Sequence, residues 1–339
     1  MEPQYTQLAE LIGMGRFEKI KALFAMIADL DEADLMLAMP GDVPTLSEKF
    51  DRSEAETEKM VELLFLKGLV FKSFKTDPIT YKACSHMVQF HDATVLWKDA
   101  PREFLDAWQD WSDTDGYQQS KAGLERAAES GRTHQAGMRV IPVGLSLKTG
   151  TQVLAEDDVN IAIDKAEVIA VTACTCKITA QKCDTTLECC VQFNNAARYA
   201  IARGTGRELT KEEAIKLMAD CEEEGLIHTV NNQKSMHQVI CNCCRDCCGN
   251  FPVKIKHGLN SVAPSRFQAE IDADDCNGCE LCLERCFFGA IEMTDDLLAA
   301  VTKPDMCVGC GLCQVVCLPD AIALNEVRPL DYIPDSWIH

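Results

Sequence analysis

Cys276–Cys286 reads CNGCELCLERC, and Cys307–Cys317 reads CVGCGLCQVVC. The spacing C-x2-C-x2-C-x3-C is the same in both, and each cysteine of the first run recurs 31 residues later. Asp274 and Asp305 keep that offset, as do Ile291 and Ile322, so the segment is an internal duplication. Three cysteines two residues apart, in a loop wound around a small metal cube, reach three of its corners. A [4Fe–4S] cube needs four thiolates at tetrahedral corners, so the fourth must come from elsewhere. In paired runs of this spacing the fourth cysteine of each run ligates the other cluster. The expected sets are Cys276, Cys279, Cys282 with Cys317, and Cys307, Cys310, Cys313 with Cys286. Zinc ribbons lack both the x3 spacing and the crossed duplication. Gly278, Gly309 and Gly311 allow the backbone to approach sulfur closely.

On these motifs, residues 265–325 resemble a bacterial-type 2[4Fe–4S] dicluster ferredoxin domain. The resemblance implies two [4Fe–4S] clusters and one-electron chemistry. One departure is local. Proline usually follows the fourth cysteine in that family, whereas here Phe287 follows Cys286 and Leu318-Pro319 follows Cys317.

The other cysteines are segregated. The chain of 339 residues has 20, of which Cys84 alone lies before residue 171. The N-terminus has acidic residues near its start and no small-residue cleavage site, so no signal peptide is expected. No apolar run is long enough to span a bilayer. A cytoplasmic protein is expected, in which thiols stay reduced or bind metal rather than build a disulfide framework. The net charge of −20 disfavours nucleic acid and anionic lipid, and suits a basic patch on a protein partner.

Two knots of cysteine precede the duplication. The first, ACTCKITAQKCDTTLECC, holds Cys174, Cys176, Cys183, Cys189 and Cys190. The second, ICNCCRDCCG, holds Cys241, Cys243, Cys244, Cys247 and Cys248. Further clusters, structural zinc and a reactive dithiol are the readings open to them. Adjacent cysteines in an extended segment point to opposite faces, so Cys243 and Cys244 do not serve one cube equally. The combination of both knots with GLIH resembles the central region of multi-cluster ferredoxin-like proteins of anaerobes. That resemblance implies one set of Cys174, Cys176, Cys183 and Cys190. It implies a second of Cys241, Cys244, Cys247 and Cys248, with Cys243 spare or exchanging. One or two further [4Fe–4S] clusters follow. The CCG at Cys247–Gly249 is similar to the paired-cysteine motif of heterodisulfide reductases, whose long-range spacing is not reproduced. Cys84 and Cys221 read as buried apolar thiols. His228 and His237, flanking the second knot, read as structural histidines before ligands.

The fold class expected is α+β in three parts: 1–135 helical, 136–260 cysteine-rich α/β, and 261–339 the dicluster domain with a C-terminal tail. Phe17, Ile20, Phe24, Ile27 and Leu30 fall on one helical face. Ser53 and Glu56 form a capping box for a helix ending near Gly68, with Val61, Leu64 and Phe65 buried. A hairpin of LVFKSF and ITYKA, joined by KTDP, follows. This order resembles a winged helix. Asp51, Glu54, Glu56, Glu58 and Glu62 against Arg52 and Lys59 make its helix too acidic for DNA, so a protein-interaction module is expected. Trp97, Trp108 and Trp111 lie in further helix and read as packing residues. In the middle part, MRVIPVGL and AEVIAVTAC read as strands around a helix near 156–165. CCVQFNNAARYAIARG reads as a helix closed by Gly204, and Thr210 with Glu213 caps a helix to about Glu224. GLIHTV reads as a strand.

No Rossmann, Walker or metalloprotease pattern is present. The expected function is therefore single-electron relay to or from a redox partner, such as a flavoprotein, a hydrogenase or another oxidoreductase subunit. Two alternatives come from other classes: an iron–sulfur redox sensor regulating transcription through the wing, and an oxidoreductase whose own site is the middle cysteines.

Overall fold

The computed structural model describes residues 1–73, 76–130, 135–142, 144, 158–234, 237–295 and 300–336. They form two compact units. The first comprises Met1–Gly116, Thr175–Gln181 and Tyr199–Thr205, and the second comprises Tyr117–Cys174, Lys182–Arg198 and Gly206–His339. The chain is mixed helix and sheet, as expected of an α+β protein.

The N-terminal region runs α1 (Pro3–Leu11), α2 (Glu18–Ile27), α3 (Leu30–Leu37), α4 (Val43–Phe50), α5 (Glu54–Lys67), β1 (Val70–Lys72), β2 (Tyr81–Ala83), α6 (Met87–Val95) and α7 (Arg102–Trp111). Ile20, Phe24 and Ile27 are buried as their spacing requires, but Leu30 is exposed. The helix breaks at Ala28 because Asp29 caps the next one, accepting from the Glu32 amide while Glu32 reaches back to the Asp29 amide. Ser53 and Glu56 form the expected box on α5, and Gly68 closes it with φ +85°. Val61, Leu64 and Phe65 are buried, while Glu54 and Glu58 stay on the exposed face. The ribbon β1–β2 is antiparallel, Val70 opposite Ala83. Phe74 and Lys75, in the expected hairpin, lie outside the described residues. Trp108 and Trp111 are buried, and Phe90 stacks on Phe24 with ring centroids 3.9 Å apart. Cys84 is fully buried in this core, and burial pushes its thiol up to about 12, so it stays neutral.

The second unit begins with α8 (Tyr117–Glu129) and centres on a six-stranded antiparallel sheet. Its elements in chain order are β3 (Met138–Val140), α9 (Val159–Lys165), β4 (Ile169–Ala173), β5 (Glu188–Phe193), β6 (Gly206–Glu208), α12 (Lys211–Glu224), β7 (Ile227–Asn231) and β8 (Val239–Cys243). Between them, α10 (Thr175–Ala180) lies in the first unit, and α11 is Asn195–Ala202. The strand order is β3-β7-β8-β5-β4-β6. Residues 143 and 145, in the expected strand MRVIPVGL, lie outside the described residues. The segment read as one helix from Cys189 to Gly204 is strand first. Ile169 to Thr172 pair with Phe193 to Cys190, and Asn194 turns the chain with φ +51° before the helix starts. Thr210 and Glu213 form the expected capping box on α12.

Period-two alternation assigns the two faces of this sheet. Ile169, Val171, Val191, Phe193, Val230 and Ile240 share one core with Val159 and Ile163 of α9 and Ala214 and Met218 of α12. Their neighbours Cys190, Cys241 and Cys243 therefore face the other way.

After α13 (Phe251–His257), the duplicated segment folds as two similar halves. β9 (Phe267–Ile271) pairs with β12 (Ile322–Glu326), and β10 (Ile291–Met293) pairs with β11 (Ala300–Thr302), both antiparallel. Each half carries a short helix that begins one residue before its third cysteine, α14 (Leu281–Arg285) and α15 (Leu312–Val315). Gly278 and Gly309 occupy matching positions with φ +68° and +65°. A Cβ at Gly309 would lie 2.0 Å from the Phe267 carbonyl oxygen and 2.3 Å from Ser265 Oγ. Gly289 also has positive φ, +63°, but nothing lies within 4 Å of its would-be Cβ. Gly289→Ala should cost only the left-handed penalty of about 1 kcal/mol. Gly309→Ala should cost clearly more and release iron from the second loop. Thermal unfolding with iron analysis of both variants checks this, and equal losses would contradict it.

Candidate iron–sulfur and thiolate sites

A cavity in the duplicated segment is lined by Cys276, Cys279 and Cys282 of the first run and by Cys317 of the second. Ile271, Met293, Ala300 and Ile322 supply its apolar wall. The crossed set is thus brought together by the antiparallel pairing of β9 with β12, which lays the end of the second run over the loop of the first. Burial pushes the Cys282 thiol up to about 11, and the neighbouring Cys276, Cys279 and Cys317 add to it.

The other four cysteines meet in the same crossed way. Burial raises Cys310 to about 12, reinforced by Cys286 and Cys307 and opposed by backbone amides. Cys313 is pushed well above its ordinary value by burial, then by Cys310, Cys307 and Cys286. The Ala290 amide donates to Cys286 Sγ at 3.3 Å. Four thiols per site, apolar walls, amide donors aimed at sulfur and a backbone approach only glycine permits are what a [4Fe–4S] cluster requires. The residues present fit two such clusters.

The ten cysteines of the two knots are arranged differently from the sets the sequence implied. Cys174, Cys189 and Cys190 hold their sulfurs within 4.8 Å of one another. Cys190 also hydrogen-bonds Cys241, and Cys243 hydrogen-bonds Cys241 and Cys248. These six thiols form one continuous group. Its position follows from the register: Thr229 lies opposite Cys241 and Ile227 opposite Cys243, while β5 brings Val191 opposite Ile240. Cys189 joins through a bulge. Thr172 faces Cys190 but Ala173 faces Glu188, so Cys189 is the extra residue, and the irregular backbone re-aims it. The set that the resemblance implied leaves Cys189 out; the bulge brings it beside Cys174 and Cys190.

Cys183 belongs elsewhere. Its Sγ lies 3.5 Å from the sulfurs of both Cys244 and Cys247. The first implied set is therefore split, and so is the second. Cys244 and Cys247 go with Cys183, whereas Cys241, Cys243 and Cys248 go with Cys190. Cys176 sits in α10, in the first unit. The alternation argument holds for Cys243 and Cys244, which serve different groups, but it makes Cys243 central rather than spare.

Charge concentrates unevenly in these groups. Hydrogen bonds from Cys241 and Cys248 hold Cys243 well below the usual thiol range, against the effect of burial. Bonds that Cys190 donates to Cys174, Cys189 and Cys241, with burial added, hold it well above that range. In the trio, burial would raise Cys183, but the Thr185 hydroxyl and amide, with Cys244 and Cys247, lower it.

His228 is not among the thiols. It lies on the opposite, helix-covered face, with Nδ1 2.5 Å from Asn242 Oδ1 and Nε2 3.0 Å from Glu222 Oε1. Asn242 donates to the Cys189 carbonyl at 2.6 Å, and the Gly144 amide donates to Glu222 at 2.7 Å. The histidine is structural, and this buried chain ties α12, β7 and β8 to the bulge. Asn242 was not singled out from sequence. Its place between Cys241 and Cys243 in a strand was the available signal. His237 and Cys221 are buried.

Cys243 and Cys248 pack in one apolar cluster with Phe251, Val308 and Leu312, against which Cys286 and Cys310 also pack. The six-thiol group thus adjoins the second cysteine set of the duplicated segment. Among the described residues no helix is long and apolar enough to cross a membrane.

If ligation is crossed, Cys317→Ala should remove the same paramagnetic signal as Cys279→Ala. Cys286→Ala should pair with Cys310→Ala. Electron paramagnetic resonance of the four reduced variants tests this, and run-by-run pairing of the losses would contradict it. No curated protein sequence matches the chain. Residues 268–318 match the family model described as a 4Fe-4S dicluster domain, which covers both runs of the duplication.

Proposed function

We propose that the chain relays single electrons to or from an oxidoreductase partner. Bound at the two crossed sets and at the six-thiol group, [4Fe–4S] clusters would supply one-electron storage and transfer. The observation that carries this reading is the shared apolar packing of Cys243 and Cys248 with Cys286 and Cys310. Transfer between redox sites needs short, water-free separations, and this packing provides one between the middle group and the dicluster segment.

The chain's own residues give the route two different ends. Cys189, Cys190, Cys243, Cys244, Cys247 and Cys248 are buried, as is Cys313. Cys279 is exposed. Leu281 and Leu318, next in sequence to residues lining the first set's cavity, are 42% and 90% exposed. An exposed ligand, with solvent-facing leucines next in sequence to the same cavity, suits a protein partner that excludes water on docking. The acidic face of α5 and the net charge of −20 favour a basic protein surface over nucleic acid. A cytoplasmic, oxygen-poor setting fits many thiolate-bound irons.

Protein purified without oxygen should contain about twelve iron and twelve sulfide per chain, three clusters of four. About eight would remove the middle cluster, and a colourless preparation silent after dithionite would remove the relay. Leu318→Glu should leave iron content unchanged and slow oxidation of the reduced chain by a flavodoxin several-fold. Its oxidation by a small dye should keep its rate. Equal slowing of both would contradict docking at this end.

A further inference from the structure

Cys183, Cys244 and Cys247 differ from the other thiols in number, spacing and local backbone. The trio ends at three. Among the described residues no fourth cysteine, histidine or carboxylate joins it at the same spacing. The sulfur separations from Cys183 are 3.5 Å to each partner. Around one tetrahedral ion, with metal–sulfur bonds of about 2.3 Å, neighbouring sulfurs stand about 3.8 Å apart. In a cube each cysteine takes its own iron, so the thiolates stand wider. The duplicated segment shows that wider arrangement. Among the described residues, no three of its eight cysteines gather within 4.8 Å. Cys174, Cys189 and Cys190 are also close together, but they are part of six thiols that continue through Cys241, Cys243 and Cys248, enough to spread over several irons.

The backbone points the same way. Cys244-Arg245-Asp246-Cys247 is a tight turn in which the Cys247 amide donates to Cys244 Sγ at 3.3 Å. Two cysteines two residues apart, with an amide aimed at the first sulfur, form a chelate for one thiolate-bound ion. Cys183 arrives from the first knot, and its sulfur lies 3.1 Å from Thr185 Oγ1, a second donor that can offset thiolate charge. Cys244 and Cys247 are buried and Cys183 is partly so, which protects such bonds from exchange.

We infer that Cys183, Cys244 and Cys247 hold a single thiophilic divalent ion of the zinc class, with a ligand from outside the trio in the fourth position. The ion ties the first knot to the turn after β8. It therefore fixes Cys243 and Cys248, the immediate neighbours of two of its ligands, in the six-thiol group. This consequence rests on the relay reading; the metal site itself does not.

The full chain, purified without oxygen from zinc-replete medium, should carry about one zinc per chain beside its iron. Stripped of zinc by a mild chelator and given cobalt(II), it should develop the intense visible absorption of tetrahedral cobalt thiolate, and one equivalent of zinc should reverse it. Cys183→Ser and Cys247→Ser should each lose the zinc and weaken the cobalt absorption. Both should keep the signals of the duplicated segment. The proposal is overturned if the wild-type chain shows no such absorption. It is also overturned if the variants keep their zinc, or lose about four irons with equal sulfide instead. The wild-type cobalt titration holds even if a variant folds poorly. Failure of the relay reading would appear separately, in the dithionite-reduced spectrum of a zinc-loaded chain.

Discussion

A thiolate serves as a ligand only when several are held together and covered from water, and in this protein one eight-residue segment does much of that holding. From Cys241 to Cys248 the backbone leaves a strand and enters a turn. In the strand, alternation sends Cys241 and Cys243 to one face and Asn242 to the other. In the turn, Cys244 and Cys247 swing to Cys183 while Cys248 returns to the six-thiol group. Adjacent residues thus feed different sites. A peptide bond separates Cys243 from Cys244, and another separates Cys247 from Cys248, so the two sites cannot be displaced independently. Disturbing one moves the ligands of its neighbour.

The sheet makes this possible because its faces have opposite tasks. On the helix side, apolar residues of four central and flanking strands pack on α9 and α12. Among the polar residues buried there, His228 sits between Asn242 and Glu222 and is hydrogen-bonded at both ring nitrogens. A buried polar group without partners costs about 1–3 kcal/mol, whereas a satisfied one fixes register. Here it fixes the register of β7 against β8, while its partner Asn242 anchors the carbonyl of the bulged Cys189. The thiol face depends on that anchor, because a slip of one residue would carry Cys241 and Cys243 into the helix-covered core and bring Asn242 out.

Much of this was legible in the chain. The duplication could be read because a local spacing rule and a long-range offset agree, and each cysteine is checked by its partner 31 residues away. The capping boxes at Ser53 and Thr210 were legible because they are contained within four residues. The middle sites were not. Their grouping depends on which strands neighbour each other, and the order β3-β7-β8-β5-β4-β6 leaves no local trace. Cys189 was left out of the implied set because a bulge breaks alternation at a point set by the partner strand, β4. The strand at Glu188–Phe193 was read as helix because its apolar residues sit beside a true helix with no proline or glycine between them. Only Asn194, in the left-handed region, marks the change.

Burial and charge also set an order among the sites. Burial raises Cys310 and Cys282, so in the metal-free chain these thiols keep their protons, and metal binding must release them. Cys243 and Cys183 differ: Cys241 and Cys248 favour the thiolate at Cys243, and the Thr185 hydroxyl and amide, followed by Cys244 and Cys247, favour it at Cys183. Each is disposed to meet a cation, and each lies among thiols that can lose protons afterwards. The middle sites thus each hold a thiol whose proton is favoured to leave, whereas burial holds Cys282, Cys310 and Cys313 of the dicluster segment to theirs. In that segment it is the amide donors, such as Ala290 to Cys286, and the close backbone at Gly309 that must offset the charge once it forms. Two chemically different solutions to holding thiolate in a dry interior therefore meet at one apolar cluster, where Cys243 and Cys248 pack beside Cys286 and Cys310.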